Sequence, residues 1–421
     1  MKNFFEFSDK LKELDKDIMS KCSEIFSEID KTRYYNQQKV LSAFVKNQVS
    51  ESHFAASTGY GYGDRGRDLL EKVFADCMGA EDSLIRHNFV SGTHALTVAL
   101  FGLLRPGDKM LCLTGRPYDT LVGVLGIEEP VDGSLADFGI IYDEVPLDSE
   151  GKPQTELIAH KLKSDTYKIA YIQRSRGYSL RPSLTIEKIS ELVKCVKSVD
   201  DNIIVFVDNC YGEFVEEREP TEVGADIIVG SLIKNPGGGI APTGGYIAGK
   251  HELVEKCAYR LTAPGVGREV GASLGHLREL YMGVFNSPHV VGEALKTAVY
   301  ASALFSELGY QVTPNFDEYR GDIIQAILLE NEDALIAFCR GVQSGAPIDS
   351  FVTPEPWDMP GYNSKVIMAA GAFTNGASIE LSADAPLREP FAVWMQGSLT
   401  FDSGRTGMLL AAQTMMDKNL I

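Results

Sequence analysis

Two apolar runs that each end in polar residues constrain this chain more than any other feature. The first run, residues 203–207, is rich in β-branched side chains and stops at Asp208. The second, residues 227–230, leads into Ser231 and Lys234. Such runs are typical of strands buried on both faces of a parallel sheet. Because ligands bind beyond the carboxyl ends of strands in open α/β sheets, these three polar residues are expected to share one site.

A carboxylate and a lysine at neighbouring strand ends match the requirements of pyridoxal phosphate. That cofactor is held by a lysine Schiff base, and an acid partners its pyridine nitrogen. Asp208 would keep the ring nitrogen protonated, and desolvation would help Lys234 to lose its proton. Ser231 offers a hydroxyl to the phosphate, and the glycines that follow Lys234 allow a tight turn. Taken singly, Lys234 is explained equally well as a solvated loop residue and Asp208 as a turn or helix cap. Together, in this order, they favour a binding site for the cofactor.

A short polar turn, Ser91-Gly92-Thr93, precedes an apolar helix and is a second candidate part of the site. Free backbone N–H groups and hydroxyls at a helix N-terminus form an anion site. Serine and threonine also cap most helices, so the turn is a weak signal in isolation. Beside the strand that leads to Lys234, it becomes the expected phosphate cradle. His94, in the same turn, fits a structural role as well as a catalytic one.

The stretch 57–68 contains four glycines and two tyrosines and is expected to form an irregular loop. Loops longer than a turn requires often carry function. Tyr60, Tyr62 and Arg65 are good phosphate donors. An ordinary surface loop explains the same composition equally well.

Other candidates follow further strands. Tyr118 comes after an expected strand at residues 110–113, where its ring is able to stack on a planar cofactor. Arg174 and Arg176 follow the strand at residues 168–173 and either pair with anions or are solvated. Arg388, in a proline-bounded loop, is a candidate clamp for a substrate carboxylate, with a plain surface arginine as the alternative.

Composition excludes several classes of protein. The formal net charge of −18 argues against nucleic acid or an anionic membrane as a partner. No apolar run approaches the roughly 20 residues of a membrane span. The seven cysteines are scattered and odd in number, which favours free thiols in a reducing cytoplasm and gives no support to a metal site.

The order of the expected elements indicates the domain organisation. A length of 421 residues with 44% hydrophobic content suffices for more than one domain. Residues 1–56 are expected to form a helical arm, and residues 57–290 a cofactor-binding α/β domain with alternating strands and helices. Past about residue 290 a long helix and short strands predict a smaller α+β domain, residues 291–421.

With these residues assembled, the chain resembles pyridoxal-phosphate enzymes of the aspartate aminotransferase fold, fold type I. Within them it is similar to the cystathionine lyase, cystathionine synthase and methionine γ-lyase group, and in particular to the bacterial family called aluminium resistance protein or methionine γ-lyase family protein. The resemblance implies a large domain with a mainly parallel, seven-stranded type of sheet and a smaller α+β domain. It is carried by blocks at residues 57–68, 91–95, 173–185, 207–250, 261–293, 353–362 and 378–389.

The resemblance also implies an activity and a set of site residues. The expected activity is carbon–sulfur bond cleavage in a sulfur-containing amino acid by β- or γ-elimination, in a homodimer or homotetramer with shared active sites. Lys234 would form the Schiff base, Asp208 would face the pyridine nitrogen, and Tyr118 would stack on the ring. The phosphate would be held by Ser91, Gly92, Thr93 and Ser231, with Tyr60, Tyr62 and Arg65 in the region that reaches the neighbouring subunit's phosphate.

Two departures from these lyases concern the substrate. Glu380 stands before Leu-Ser, where the lyases carry their carboxylate-binding arginine, so Arg388 is the expected substitute. Arg174 and Arg176 replace an Asn-Pro pair, which makes Arg176 a second candidate for the carboxylate. Other pyridoxal-phosphate chemistry, such as transamination or racemisation, and a non-catalytic role in stress or metal resistance are the alternatives.

Overall fold

A computed structural model describes residues 4–128, 131–358 and 364–421. The chain folds into two compact units, one of residues 35–287 and one that joins the residues up to Tyr34 with residues 288–421. The three-domain division expected from the sequence stays a prediction. None of the helices in the described residues is long and apolar enough to cross a membrane.

The helices and strands are numbered in chain order over the described residues. The α-helices are α1 (Asp9–Lys21), α2 (Ser23–Lys46), α3 (Arg65–Cys77), α4 (Gly92–Leu103), α5 (Asp119–Leu125), α6 (Thr155–Ser164), α7 (Ile186–Val199), α8 (His251–Leu261), α9 (Leu277–Glu307), α10 (Glu332–Ser344) and α11 (Phe401–Asp417). The strands are β1 (Asp82–Arg86), β2 (Lys109–Cys112), β3 (Ile141–Glu144), β4 (Ile169–Gln173), β5 (Ile204–Asp208), β6 (Ile227–Ser231), β7 (Gly245–Gly249), β8 (Gln311–Thr313), β9 (Gln325–Leu328), β10 (Val366–Ala369), β11 (Ser382–Pro386) and β12 (Ala392–Gln396).

The unit of residues 35–287 is built on a seven-stranded sheet with strand order β1-β7-β6-β5-β4-β2-β3. The strands from β6 to β3 in that order run parallel, and β7 is antiparallel to both of its neighbours. Strands β4, β5, β6 and β7 are buried along their whole length, and for β5 and β6 the two β-branched runs predict this burial. The expectation of a mainly parallel, seven-stranded sheet is confirmed, and β7 is the antiparallel addition that the sequence did not indicate.

Crossover helices cover this sheet because their apolar residues recur at helical spacing. Helix α7 begins after Thr185, whose hydroxyl accepts a hydrogen bond from the Lys188 N–H, and it buries Ile186, Ile189, Leu192, Val193 and Val196. Side chains from α4, α8 and the strands form one continuous apolar core. This core fixes the strands whose carboxyl ends carry the candidate site.

The other unit contains a five-stranded antiparallel sheet of order β10-β11-β12-β9-β8. Helices α1, α10 and α11 contribute to its separate apolar core. This agrees with the expected smaller α+β region. The long helix expected past about residue 290 is α9, which begins earlier, at Leu277, and continues through Pro288. A proline usually marks a helix start because it lacks an N–H, and here the helix tolerates it in the interior.

Candidate functional site

Asp208 lies at the carboxyl end of β5, in the middle of the parallel part of the sheet. Its Oδ1 accepts a hydrogen bond from the Cys210 N–H at 3.1 Å, and its Oδ2 accepts one from the Tyr171 hydroxyl at 3.3 Å. Burial raises the pKa of this carboxyl, while the Lys234 charge and the two donors act in the opposite direction. Asp208 is therefore a buried carboxylate held in one orientation by its neighbours.

Lys234 follows β6 and precedes a single 3₁₀ turn, Asn235–Gly237. Its Nζ lies 4.0 Å from the centroid of the Tyr211 ring, a cation–π contact. Burial acts to lower the pKa of Lys234, but the ionisable side chains of Cys210, Tyr211, Asp208 and Glu213 act in the opposite direction and raise it overall. In the chain alone, the Lys234 amine is therefore held in its charged form.

The expected phosphate cradle is assembled from two segments, the N-terminus of α4 and the end of β6. The Ser91 hydroxyl accepts a hydrogen bond from the His94 N–H and so caps α4 at its N-terminus. A Cβ on Gly92 would lie 3.2 Å from Ser231 Cβ and 3.6 Å from Cys210 Sγ, so the turn packs directly on the end of β6. A side chain at residue 92 would crowd Ser231, so the glycine keeps the gap between α4 and β6 open.

The Ser231 hydroxyl points to an anion in this gap. Its Oγ is buried and has no hydrogen-bond partner within the described residues. Buried polar groups normally find partners, since an unpaired hydroxyl costs free energy. A phosphate at the α4 N-terminus would supply an acceptor for Ser231 and for the free N–H groups of the first helical turn. Thr93, from the same turn, contacts the Thr120 hydroxyl at 2.9 Å.

Tyr118 is partly buried directly before α5. Its backbone N–H donates to Gln173 Oε1 at 2.7 Å, which fixes it to the end of β4. Its ring packs edge-to-face on Tyr178, with centroids 5.7 Å apart. Gly177 has a φ of 57°, and a Cβ on this residue would lie 3.2 Å from the Tyr118 ring. These contacts hold the Tyr118 side chain at the same edge of the sheet as Asp208.

The two arginines after β4 are buried rather than solvated. Arg174 donates to Asn209 Oδ1 and to Glu216 Oε2, each at 2.8 Å, and lies 3.6 Å from Glu219 Oε2. These contacts satisfy its charge and give it a structural role in holding the chain after β5. Arg176 is equally buried, and its proposed substrate contact stays a prediction.

The loop with Tyr60 and Tyr62 is held rigidly at its base. The Gly271 N–H donates to the Tyr60 carbonyl, the Arg67 guanidinium donates to the Gly61 carbonyl, and the two tyrosine rings stack 5.4 Å apart. The two tyrosines are 72% and 68% exposed, and Arg65 is exposed as well. The three side chains are therefore accessible to solvent, and their contact with a neighbouring subunit stays a prediction.

Arg388 and Glu380 belong to the other unit. Arg388 is exposed in the turn between β11 and β12. Glu380 is buried, and its two carboxylate oxygens accept hydrogen bonds from the Phe373 and Thr374 N–H groups at 2.8 and 2.9 Å. Glu380 therefore shapes the preceding loop, at the wall of a cavity of about 290 Å³. The part played by Arg388 stays a prediction.

The sequence analysis does not identify several residues that lie near the site. Tyr211, at φ 70°, turns its ring towards Lys234. Glu213, Asn209 and Tyr246 form a buried polar cluster behind the lysine turn. Their one sequence signal was their position in the polar interval after β5 and in β7, which does not distinguish them from turn and strand residues. Among the described residues, no group of three or more His, Cys, Asp or Glu side chains is arranged to hold a metal ion.

The mainly parallel sheet and the residues at its carboxyl edge define the fold type I class, whose members include pyridoxal-phosphate proteins. One solved structure of low similarity shows the same fold: the pyridoxal-5'-phosphate-dependent protein YhfS of Escherichia coli, with 14% identity, a TM-score of 0.63, and 92% of this chain and 97% of that chain covered. The residues present fit the cofactor, since a lysine, a buried carboxylate and an unpartnered hydroxyl at a helix N-terminus are the groups that it requires.

Comparisons with known proteins narrow the class to a family. The methionine gamma-lyase family matches residues 11–416. The carbon-sulfur lyase involved in aluminum resistance from Clostridium novyi NT is 51% identical, with a TM-score of 0.93 and 97% and 96% of the two chains covered. The uncharacterized protein YnbB of Bacillus subtilis (strain 168) is 48% identical over 98% of both chains. The chain belongs to the methionine gamma-lyase family.

Proposed function

We propose that this protein is a pyridoxal-phosphate-dependent lyase that cleaves a carbon–sulfur bond in a sulfur-containing amino acid by β- or γ-elimination. The family match supports this activity, and so does the C. novyi relative that is described as a carbon-sulfur lyase. The single observation that carries the cofactor assignment is the buried, unpartnered Ser231 hydroxyl beside Gly92 at the α4 N-terminus. It lies at the sheet edge that also carries Asp208 and Lys234.

The roles of the residues follow from their chemistry. When bound, pyridoxal phosphate supplies an electron sink for the carbanion formed at the substrate α-carbon. The Lys234 amine would hold the cofactor and, in its free neutral form, would accept the α-carbon proton. The Asp208 carboxylate would hold a proton at the pyridine nitrogen. Tyr118 would pack on the cofactor ring, and its phenolic hydroxyl would donate a proton to the departing sulfur.

The remaining expectations form part of the same proposal. Ser91, Gly92, Thr93 and Ser231 hold the phosphate, and Arg388 or Arg176 binds the substrate carboxylate. The chain is organised as a helical arm (residues 1–56), a cofactor domain (57–290) and a small domain (291–421), and it works in the cytoplasm.

A homodimer or homotetramer is the proposed assembly, with Tyr60, Tyr62 and Arg65 reaching the phosphate of a neighbouring subunit. Exposed apolar side chains support a second copy as the partner. Leu41 and Val45 of α2 are 43% and 68% exposed, and Met282 and Phe285 of α9 are 47% and 39% exposed. The two helices contact each other, because the Gln37 amide donates to the Phe285 carbonyl at 3.0 Å. Exposed apolar surface on adjoining helices is typical of an interface.

The attachment of the cofactor is tested by borohydride reduction after incubation with pyridoxal phosphate. The wild-type chain is expected to carry the reduced cofactor on Lys234 in peptide mass spectra, and the Lys234→Ala variant to carry none at any specific site. Lys256→Ala, which removes an exposed lysine, is the matched control and should behave like wild type. Specific trapping in the Lys234→Ala variant would contradict the assignment.

The reaction class is tested by its products. A lyase releases a keto acid, ammonia and a thiol from cystathionine or methionine. A transaminase yields a keto acid without free ammonia or thiol, and a racemase yields only the opposite enantiomer. Absence of turnover with a fully loaded protein across sulfur-containing amino acids would favour the non-catalytic role in stress or metal resistance.

A further inference from the structure

Tyr171 is a fully buried residue of β4 to which the proposed chemistry gives no role. Its ring belongs to the apolar core of the large sheet's unit and stacks on the Phe206 ring of β5, with the two centroids 5.5 Å apart. A phenylalanine would fill this place without burying a hydroxyl. A hydroxyl in such a core costs free energy unless it has a hydrogen-bond partner. The hydroxyl is therefore the part of Tyr171 that the packing of the core does not explain.

The hydroxyl of Tyr171 has its partner at the candidate site. In the parallel register of β4 and β5, Tyr171 lies opposite Phe206. Gln173, two residues further along β4, lies opposite Asp208. The Tyr171 side chain reaches from the lower position to the upper one, since its hydroxyl donates to Asp208 Oδ2 at 3.3 Å. The Cys210 N–H donates to Oδ1 at 3.1 Å, so each carboxylate oxygen has a donor and one of the two donors comes from the neighbouring strand.

Asp208 depends on such donors because it is buried. The residue is only 7% exposed, and burial favours the neutral form of a carboxyl group. Burial raises the pKa of Asp208, while the Lys234 charge, the contacts with Cys210 and the Tyr171 hydroxyl act to lower it. Tyr171 itself stays a donor, because burial and the Asp208 charge raise the pKa of its phenol well above the usual value. The hydroxyl therefore favours the ionised form of the carboxyl group beside it.

We propose that Tyr171 is a positioning residue that keeps the Asp208 carboxylate ionised, so that the proton it shares with the cofactor stays on the ring nitrogen. A carboxylate that loses a hydrogen-bond donor is a stronger base and draws a shared proton towards itself. The cofactor ring would then be a weaker electron sink, because it withdraws electrons best when its nitrogen carries the proton. The inference deepens the proposed function, since it rests on Asp208 being the group that faces the ring nitrogen.

The first measurement uses the cofactor-free protein, so that it does not depend on catalysis. Aspartate carboxyl carbons are labelled with ¹³C, the Asp208 signal is assigned by its loss in Asp208→Asn, and its titration is followed by NMR. In Tyr171→Phe, the pKa of Asp208 should rise by about 1, as expected for the loss of one hydrogen bond to a charged group. A general loosening of the core would act in the opposite direction, since contact with water lowers the pKa of a buried carboxyl group.

The second measurement locates the proton in the loaded protein. Pyridoxal phosphate labelled with ¹⁵N at the ring nitrogen reports by its chemical shift whether that nitrogen is protonated. The wild-type protein at neutral pH should give the signal of a protonated nitrogen. Tyr171→Phe should give a signal displaced towards that of the neutral ring, because the proton moves towards the more basic Asp208 carboxylate.

Tyr300→Phe is the matched control for both measurements. Tyr300 is also fully buried, and its hydroxyl donates to Asp15 Oδ1 at 2.7 Å in the other unit. Its replacement removes the same kind of hydrogen bond from a different aspartate and should leave the Asp208 pKa and the ring-nitrogen signal at their wild-type values. Tyr171→Met, which also lacks the hydroxyl, carries the test if Tyr171→Phe fails to fold by circular dichroism.

An unchanged or lower Asp208 pKa in the folded Tyr171 variant would overturn the proposal. So would a ring-nitrogen signal identical to that of the wild type. Failure of the proposed function would appear differently, as absence of borohydride-trapped cofactor on Lys234 in the wild-type protein, and the cofactor-free titration would still report on Tyr171 and Asp208.

Discussion

Replacing Ser231 with alanine should separate the stability of the chain from its affinity for the cofactor. The Ser231 Oγ is buried without a partner in the described residues, and such a group costs about 1–3 kcal/mol of folding free energy. Its removal should therefore leave the cofactor-free protein as stable as wild type or slightly more stable. A charge-assisted hydrogen bond to phosphate contributes about 1.5–3 kcal/mol, so the same change should weaken pyridoxal-phosphate binding about ten- to a hundredfold.

Ser83→Ala is the matched control for this prediction. Ser83 is equally buried in the same sheet, but its hydroxyl donates to the Glu71 carbonyl. That substitution removes one buried hydrogen bond from a helical carbonyl, so it should destabilise the protein by about 1 kcal/mol and leave cofactor affinity unchanged.

Denaturant unfolding without cofactor and absorbance titration with pyridoxal phosphate measure the two quantities. The reasoning is refuted if Ser231→Ala destabilises the cofactor-free chain as much as Ser83→Ala does, or if its titration curve matches that of wild type. The first result would mean that Ser231 has a partner in solution, and the second that the phosphate lies elsewhere.

Two further substitutions test other parts of the site, and a third tests a loop of the other unit. Asp208→Asn should keep the fold but lose most turnover, because a neutral amide does not hold a proton at the pyridine nitrogen; unchanged kcat would count against that role. Gly92→Ala adds a Cβ 3.2 Å from Ser231 and should weaken cofactor binding about tenfold by titration, whereas Gly123→Ala, with open space around it, should not. Glu380→Gln should lower the free energy of unfolding by about 1–3 kcal/mol in urea, since two backbone N–H groups lose a charged acceptor; an unchanged midpoint would show that the loop does not depend on the charge.

The site residues that the sequence predicts are those marked by a local pattern of apolar and polar residues. The apolar runs that end at Asp208 and Ser231 are strands β5 and β6, because β-branched residues buried on both faces leave no polar side and stop where polar residues begin. The cap at Ser91 follows from the same local logic, since a serine before an apolar helix accepts the free N–H groups of its first turn.

The residues that were missed depend on contacts between distant segments. Tyr211 reaches Lys234 through a left-handed backbone conformation, and no local pattern predicts that a tyrosine will adopt it. Glu213 and Tyr246 meet because β7 pairs antiparallel with β6, and a short run such as residues 245–249, with a glycine at each end, carries little strand signal. The sequence allows Arg174 to be an anion ligand or a solvated charge, but Glu216 and Glu219, from later in the chain, pair with it in the buried interior.

The pairing of β6 with β7 has a consequence for how the lysine is able to move. Ser231 and Gly245 lie opposite each other in the antiparallel register of β6 and β7. The segment that contains Lys234 therefore leaves the sheet and re-enters it at one paired position. The segment between Ser231 and Gly245 is a loop whose two ends belong to the same β-ladder. Because the ends of the loop are held, we expect the amine to move between cofactor and substrate by rotation about its side-chain bonds rather than by a shift of the strands.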